Sequence, residues 1–475
     1  MKKYNLIVIG TGSAMNLVSP ILQQNPSLKV AVIDKDEPGG ICLTRGCIPT
    51  KILVYPAELV RIIELSKQLG IDVDIKNVDF PGIMARMRDS IDEDIESIRQ
   101  GLSRSENIDY YPMVAEFVAP YQLKVGNEII TSEMIFLCTG SKPVIPSIKG
   151  LKDIGYHTSD TILHMKVLPK SLLIIGGGYV AAEYGHFFSA MGSQVTIVGR
   201  NPQFLPQEEP EISALAKKEL EKHMKIITNH EGVEARIDGN LKKIIARNRE
   251  TGEIVGFSAN EILIAVGRGS NSDILHPEKA GIEIDRDGWI KVNKFLESSQ
   301  PNIWAFGDAN GQYLFKHVGN YESMVVYYNA VLKKGVKVDY HAIPSAVFTY
   351  PEIAHVGLRE KEAIVEYGED KIIIGYQKYE DTVKGMAMGV KGHFVKVILD
   401  NNRRILGAHI IGAQASVLIQ EIINLMYTPD RSMQPIREGM HIHPALSEVV
   451  ERAFGRLMRP KDYHYFLEET TYHHH

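Results

Sequence analysis

The stretch GGICLTRGCIPTK (39–51) carries Cys42 and Cys47 with four residues between them; the only other cysteine is Cys138. Such a pair can bind a metal, cycle between dithiol and disulfide, or be two unrelated buried thiols. A zinc site needs two more ligands. Only Cys138 remains and no histidine lies nearby, so no metal site is expected. On a regular helix, residues five apart have Cα atoms roughly 8–9 Å apart and side chains on different faces. A disulfide needs Cα atoms closer than about 7 Å. A redox pair therefore requires a distortion at the helix start, which Gly46 permits. Gly39 and Gly40 fit the approach turn, and Pro49 suits a first helical turn.

Two segments of shared pattern are placed to serve such chemistry. Residues 4–34 and 171–200 each read as strand, glycine turn, helix, strand. The runs Leu6–Ile9, Leu172–Ile175 and Val195–Val198 suit fully buried parallel strands. Glycines at the strand-to-helix turn let backbone amides approach a pyrophosphate at the helix N-terminus. In the first unit these are Gly10 and Gly12, and Asp34 ends the second strand as an acceptor for ribose hydroxyls. Met15 stands at the third glycine position, where looser helix–strand packing is expected. The second unit has Gly176, Gly178 and Ala181, and its second strand ends in Val198-Gly199-Arg200. Without an acid to repel a 2′-phosphate, and with Arg200 to attract it, NADPH is expected over NADH. A surface arginine with no cofactor role is the alternative, because no second basic residue follows closely. Two nucleotide sites, one for a resident and one for a visiting group, suit hydride transfer from nicotinamide to flavin.

The chain has 475 residues, which predicts several domains. Residues 81–108 read as a mixed-charge helix, and from about Tyr340 the texture becomes an antiparallel sheet with helices. The expected division is 1–148 and 271–340 for a first nucleotide domain and its return, 149–270 for a second, 341–465 for an α+β interface domain, and 466–475 for a tail. His473, His474 and His475 read as a tag remnant. A net charge of −5 gives no electrostatic reason to expect nucleic acid or anionic lipid. No apolar run approaches the ~18 residues of a membrane helix, and the start MKKYNLIVIGTG reads as a strand rather than a signal peptide. Three cysteines in so long a chain point to a cytoplasmic protein.

GGxCxxxGCIPxK after a glycine fingerprint resembles the pyridine nucleotide–disulfide oxidoreductase family. The resemblance extends through CTG (138–140), AVGRGSN (265–271), GDANG (307–311) and HIHPALSEVVERAF (441–454). IGTGSAMN, LFKHVGN, YEDTVKGMAM and LGAHIIGAQASVLIQ are similar to its mycothione reductase branch. The resemblance implies two Rossmann-like domains, for FAD and NAD(P), and a C-terminal α+β dimerisation domain. It implies a small-molecule disulfide as substrate. Cys47 would be the flavin-proximal, charge-transfer thiol and Cys42 the interchange thiol. Lys51 and Glu183 match an ion pair beside the flavin, and Tyr179 a ring over the nicotinamide pocket. Gly10, Gly12, Ser13, Asp34, Lys35, Gly40, Thr139, Gly140, Gly307 and Asp308 are the implied FAD-binding set; Gly176, Gly178, Tyr179, Ala181, Arg200 and Gly267 are that for NAD(P).

Thiol–disulfide exchange needs a base for the attacking thiol and an acid for the leaving one, which histidine supplies near neutral pH. His443-Pro444, with Glu448 to orient the ring, matches the family's HPxxxE pattern. In that family the histidine reaches the neighbouring subunit's cysteines, which implies a homodimer. Thr44-Arg45 departs from the Asn-Val common between the family's cysteines. Arg45 is expected either to lower a thiol pKa or to meet an anionic substrate, with an arginine pointing into solvent as the alternative. The dihydrolipoamide dehydrogenase branch, running toward NAD reduction, is the runner-up. A mercuric reductase lacks support because no cysteine follows Cys138. A flavoprotein without disulfide turnover fits poorly with the intact set of site residues.

Overall fold

Leu6–Ile9 and Val30–Ile33 are buried at every position. A strand of that kind needs cover on both faces, which a central place in a parallel sheet provides. The computed structural model, which describes residues 1–472, puts them in the middle of a five-stranded parallel sheet. The order is Ile303–Ala305, Ile135–Leu137, Leu6–Ile9, Val30–Ile33, Ile108–Tyr111. Val8 pairs with Val32 on one side and Phe136 on the other. The helix Met15–Gln24 lays Leu17, Val18 and Ile21 on this sheet. Met15 does not loosen the packing: the fully buried Ala14 takes the close approach, and Met15 packs at the side of the same cluster.

The second unit repeats the plan. Its parallel sheet runs His157–Thr158, Glu261–Ile264, Ser171–Ile175, Gln194–Val198, Lys225–Ile227. The helix Tyr179–Met191, apolar almost all round, is buried along nearly its whole length. A three-stranded antiparallel sheet, His230–Asp238, Leu241–Asn248 and Ile254–Ala259, follows the fifth strand of this unit in sequence.

From Pro344 a six-stranded, antiparallel sheet forms, backed by the helix Ala415–Met426. Its strand Phe394–Asp400 buries Lys396 completely, and the ammonium reaches Glu211 at 2.6 Å, Glu360 at 2.7 Å and Glu209 at 3.4 Å. Among the described residues these three carboxylates alone are close enough together to hold a cation, and the lysine fills that place. The cluster ties the second nucleotide unit, through Glu209 and Glu211, to the C-terminal sheet.

Two expectations need correction. The helix predicted over 81–108 spans Phe80–Arg104, capped by Asp79 on the Gly82 amide, and Ile108 already belongs to a strand. Residues 466–472 are not a loose tail: they continue the helix Pro460–Tyr472, whose Tyr463 is buried and bonds Glu211 at 2.7 Å. Phe466 and Leu467, three and four positions on, pack on the same core. His473–His475 lie outside the described residues.

Candidate active site

Gly46 makes the cysteine pair possible. Its backbone (φ −129°, ψ −119°) breaks the helix between Gly40–Arg45 and Cys47–Ser66. A Cβ there would come within 2.8 Å of the Ile41 carbonyl oxygen and 3.2 Å of the Cys42 Cα, so only glycine allows the approach. Cys42 and Cys47 are thiols in hydrogen-bond contact, Cys42 half-buried and Cys47 exposed to a cavity. Cys47 is the first residue of its helix, where the backbone dipole favours a thiolate. The hydrogen bond from Cys42 brings its pKa down to about 6; burial opposes this and the Lys51 ammonium adds to it. Cys42 is pushed well up, by that same bond and by burial, with Lys316 acting in the opposite sense. The first proton thus leaves Cys47, and Cys42 keeps its own.

One helical turn beyond Cys47, Lys51 meets Glu183 at 2.7 Å. Glu183 is almost fully buried on the helix Tyr179–Met191, and its other oxygen accepts from the Phe348 amide at 3.0 Å. The Lys51 ammonium also lies 4.6 Å from the centre of the Phe348 ring. These contacts aim a fixed positive charge at the cysteine sulfur.

The cavity has a volume of about 800 Å³, within the ~300–1,000 Å³ of small-molecule sites. Gly10, Gly12, Ser13, Asp34 and Lys35 line one part of it, with Gly40 packed against the first glycine turn. A Cβ on Gly40 would strike the Gly12 Cα at 2.5 Å. Asp34 accepts from the Thr11 amide at 2.8 Å and from its hydroxyl. Thr139, Gly140, Gly307 and Asp308 line a further part, and Cys42, Cys47, Lys51, Tyr179 and Glu183 gather in the same space. Asp308 is bonded by the Ser141 hydroxyl, which Arg268 holds through Nε at 2.7 Å; burial raises its carboxyl pKa. The Thr139 hydroxyl is buried with no partner among the described residues, an unmet polar group on the cavity wall.

The second glycine turn lies outside this cavity. A Cβ at Gly176 would meet the Ala265 carbonyl oxygen at 2.0 Å, and one at Gly199 the Gly177 Cα at 3.3 Å. The residue that replaces the expected acid is thus also packed against the phosphate turn. Ala181 is fully buried, while Gly178 opens to free space. Gly267, in the left-handed region (φ 129°), connects two strands, and Arg200 is exposed.

His443 does not line the cavity. Its side chain is 63% exposed, and its Nδ1 lies 2.9 Å from Glu448 Oε1. Arg452 holds the same carboxylate oxygen at 3.2 Å, and the Ala445 amide the other at 3.3 Å. Bonding to His443 above all keeps the Glu448 carboxyl below its usual range. His441 turns to Glu421 at 2.9 Å and takes no part.

Arg45 lines the cavity beside Cys42 and Gly46. Its guanidinium pairs with Asp36 at 2.6 Å and Asp160 at 3.3 Å, and it does not point freely into solvent. Lys51 lowers the Cys47 pKa and Lys316 that of Cys42. Sequence reasoning also missed Lys316, which donates to Ser13 at 3.1 Å. Its only signal was its place in the LFKHVGN motif.

Residues 4–347 match the pyridine nucleotide-disulphide oxidoreductase family, and residues 343–454 its dimerisation domain. The chain belongs to this family. It is 34% identical to a mycothione reductase of Mycobacterium tuberculosis, over 95% of this chain and 99% of that one. It is 32% identical to a dihydrolipoyl dehydrogenase of Chlamydia trachomatis, over 94% and 95%. In structure it is similar to the HOCl-induced flavoprotein disulfide reductase RclA of Escherichia coli in its Cu(II) complex, with a TM-score of 0.84, 28% identity, and coverage of 96% and 99%.

The protein is therefore a flavin-dependent pyridine nucleotide–disulfide oxidoreductase of α/β fold, using FAD and NAD(P)H. The cavity fits FAD: a glycine cradle closed to a Cβ at Gly10 and Gly40, an acid at the end of the second strand and an unmet hydroxyl are what a dinucleotide needs. Among the described residues no helix is long and apolar enough to cross a membrane.

Proposed function

We propose that this enzyme reduces the disulfide of a low-molecular-weight thiol with NADPH, working as a homodimer. FAD, when bound, supplies the means to take a hydride from the nicotinamide and pass an electron pair to sulfur. Residues 1–148 with 271–340 would hold it, 149–270 the nicotinamide nucleotide, and 341–465 the partner subunit.

The observation that carries the reading is the unequal pair of thiols. Cys47 is acidic and turned to the cavity, while Cys42 retains its proton and needs a base. His443, exposed and outside the cavity that holds its own chain's cysteines, is that base for the other subunit. It takes the Cys42 proton as the sulfur attacks the substrate disulfide, forming a mixed disulfide, and gives it to the first thiolate released. The Cys47 thiolate then attacks the Cys42 sulfur, which re-forms the Cys42–Cys47 disulfide and expels the second thiolate. One substrate disulfide becomes a thiol and a thiolate, which takes its proton from water, and the pair is left oxidised by two electrons. Glu448 holds the His443 tautomer, and Lys51, held in place by Glu183, stabilises the Cys47 thiolate.

NADPH is favoured by Gly199 and Arg200 at the end of the strand Gln194–Val198, where an NAD-binding unit presents an acid. The mycothione reductase relative supports a small disulfide as substrate, and the dihydrolipoyl dehydrogenase relative supports NAD-linked oxidation of a dithiol. The test is steady-state turnover of a panel of small disulfides with each nicotinamide, and of dihydrolipoamide with NAD. Preference for NADPH and for a disulfide acceptor supports the first reading; preference for NAD and dihydrolipoamide supports the second.

A further inference from the structure

The loop after the strand Gln194–Val198 carries one arginine, but the fold brings a second to it. Arg249 stands at the turn between the strands Leu241–Asn248 and Ile254–Ala259, and its Nη1 donates to the Arg200 carbonyl at 3.1 Å. Three backbone bonds lock this turn to the nucleotide loop. The Asn229 amide donates to Asn201 at 2.8 Å, the His230 amide to Gly199 at 2.9 Å and the Arg249 amide to Asn229 at 2.8 Å. The turn is itself fixed, since Asn248 Oδ1 accepts from the amides of Glu250 at 2.9 Å and Thr251 at 3.0 Å.

Charge is left over at this corner. Three other cations of the same sheet are paired: Lys242 with Glu261 at 2.7 Å, Lys243 with Asp238 at 2.9 Å, Arg247 with Glu231 at 3.7 Å. Among the described residues, the Arg200 guanidinium has no partner, and that of Arg249 has only the Arg200 carbonyl. Both are exposed. The turn also holds two carboxylates, Glu250 and Glu253; Glu250 accepts from Asn229 Nδ2 at 3.3 Å.

We infer that Arg249 is the second cation of a subsite for the adenosine 2′-phosphate, set beside Arg200 by the three-stranded sheet. The inference rests on reading Arg200 as the first. A phosphate dianion between two planar guanidinium groups gains charge-assisted bonds from both. NADH, which lacks that phosphate, gains nothing from Arg249. Specificity then resides partly in a hairpin outside the glycine-turn unit, a place the local motif does not cover.

The test is calorimetric binding of two redox-inert probes, 2′,5′-ADP and 5′-AMP, to the oxidised holoenzyme. Arg249→Ala is expected to weaken 2′,5′-ADP about five- to tenfold, as for a partly exposed charge-assisted contact, and to leave 5′-AMP within twofold. Arg249→Lys should recover part of the loss, and Glu250→Gln should tighten 2′,5′-ADP. If wild type favours 2′,5′-ADP and Arg200→Ala abolishes that preference while Arg249→Ala binds as wild type does, the role of Arg249 is overturned and NADPH specificity stands. If wild type binds both probes alike, the NADPH reading itself fails, and this inference with it.

Discussion

Lys51 Nζ lies 2.7 Å from Glu183 Oε2, joining the helix that begins at Cys47 to the helix of the second nucleotide unit. The bond fixes a positive charge one turn from the thiol. Lys51 lowers the Cys47 pKa, so its removal must raise it. In Lys51→Met the thiolate titration of the reduced protein, followed by ultraviolet absorbance, is expected to move up from about 6. A change of about one pH unit corresponds to ~1.4 kcal/mol. Glu183→Gln, which frees the ammonium from its counter-charge, should move the midpoint the other way or leave it in place.

His443 and the cysteines belong to different subunits in this reading, and mixing tests that. His443→Ala should lose roughly 10²-fold or more in turnover, the usual worth of a proton-transfer group, and Cys47→Ser, which cannot re-form the disulfide, nearly all of it. Random dimers formed from equal amounts of the two variants should recover about one quarter of wild-type activity, because half are mixed and each mixed dimer holds one intact site. No recovery on verified exchange of subunits would place the histidine in the same chain as its cysteines.

Arg45 spans Asp36 and Asp160 at the edge of the cavity. Arg45→Ala leaves Asp36 and Asp160 without it, at a cost of roughly 1 kcal/mol for a partly exposed pair. The expected result is a slightly lower melting temperature with the Cys47 titration unchanged. A shifted titration would return Arg45 to the thiols.

Lys396 is a different case because it is wholly buried. Lys396→Met leaves Glu209, Glu211 and Glu360 facing one another without their cation, and breaking a buried pair from one side costs roughly 3–5 kcal/mol. Denaturant unfolding should show a loss of that size, partly restored by adding Glu211→Gln. A loss under about 1 kcal/mol would mean that the carboxylates take up protons at little cost.

What the sequence reveals here follows from what leaves a local trace. Leu6–Ile9 and Ser171–Ile175 announce themselves by composition, and Gly46 by the geometry that two cysteines at that spacing require. Lys51, Glu183 and His443 are readable only through a family pattern, since a charge has no periodicity of its own. Where no pattern covers a contact, nothing in the sequence points to it. Arg45 finds Asp160, Lys316 comes near Cys42, and Lys396 gathers three glutamates from two parts of the chain, all by tertiary placement alone. The helix Pro460–Tyr472 was missed because its apolar positions are few and tyrosine-rich, although Tyr463 anchors it to Glu211.

That electrons from NADPH reach Cys42 and Cys47 can be counted directly. The oxidised holoenzyme is alkylated under denaturing conditions with and without prior anaerobic reduction by NADPH, and the modified cysteines are located by mass spectrometry. Two new thiols per chain, at Cys42 and Cys47, are expected, with Cys138 alkylated equally in both samples. If NADPH bleaches the flavin but frees no thiol, or frees one elsewhere, the pair is not the route by which this enzyme reduces its substrate.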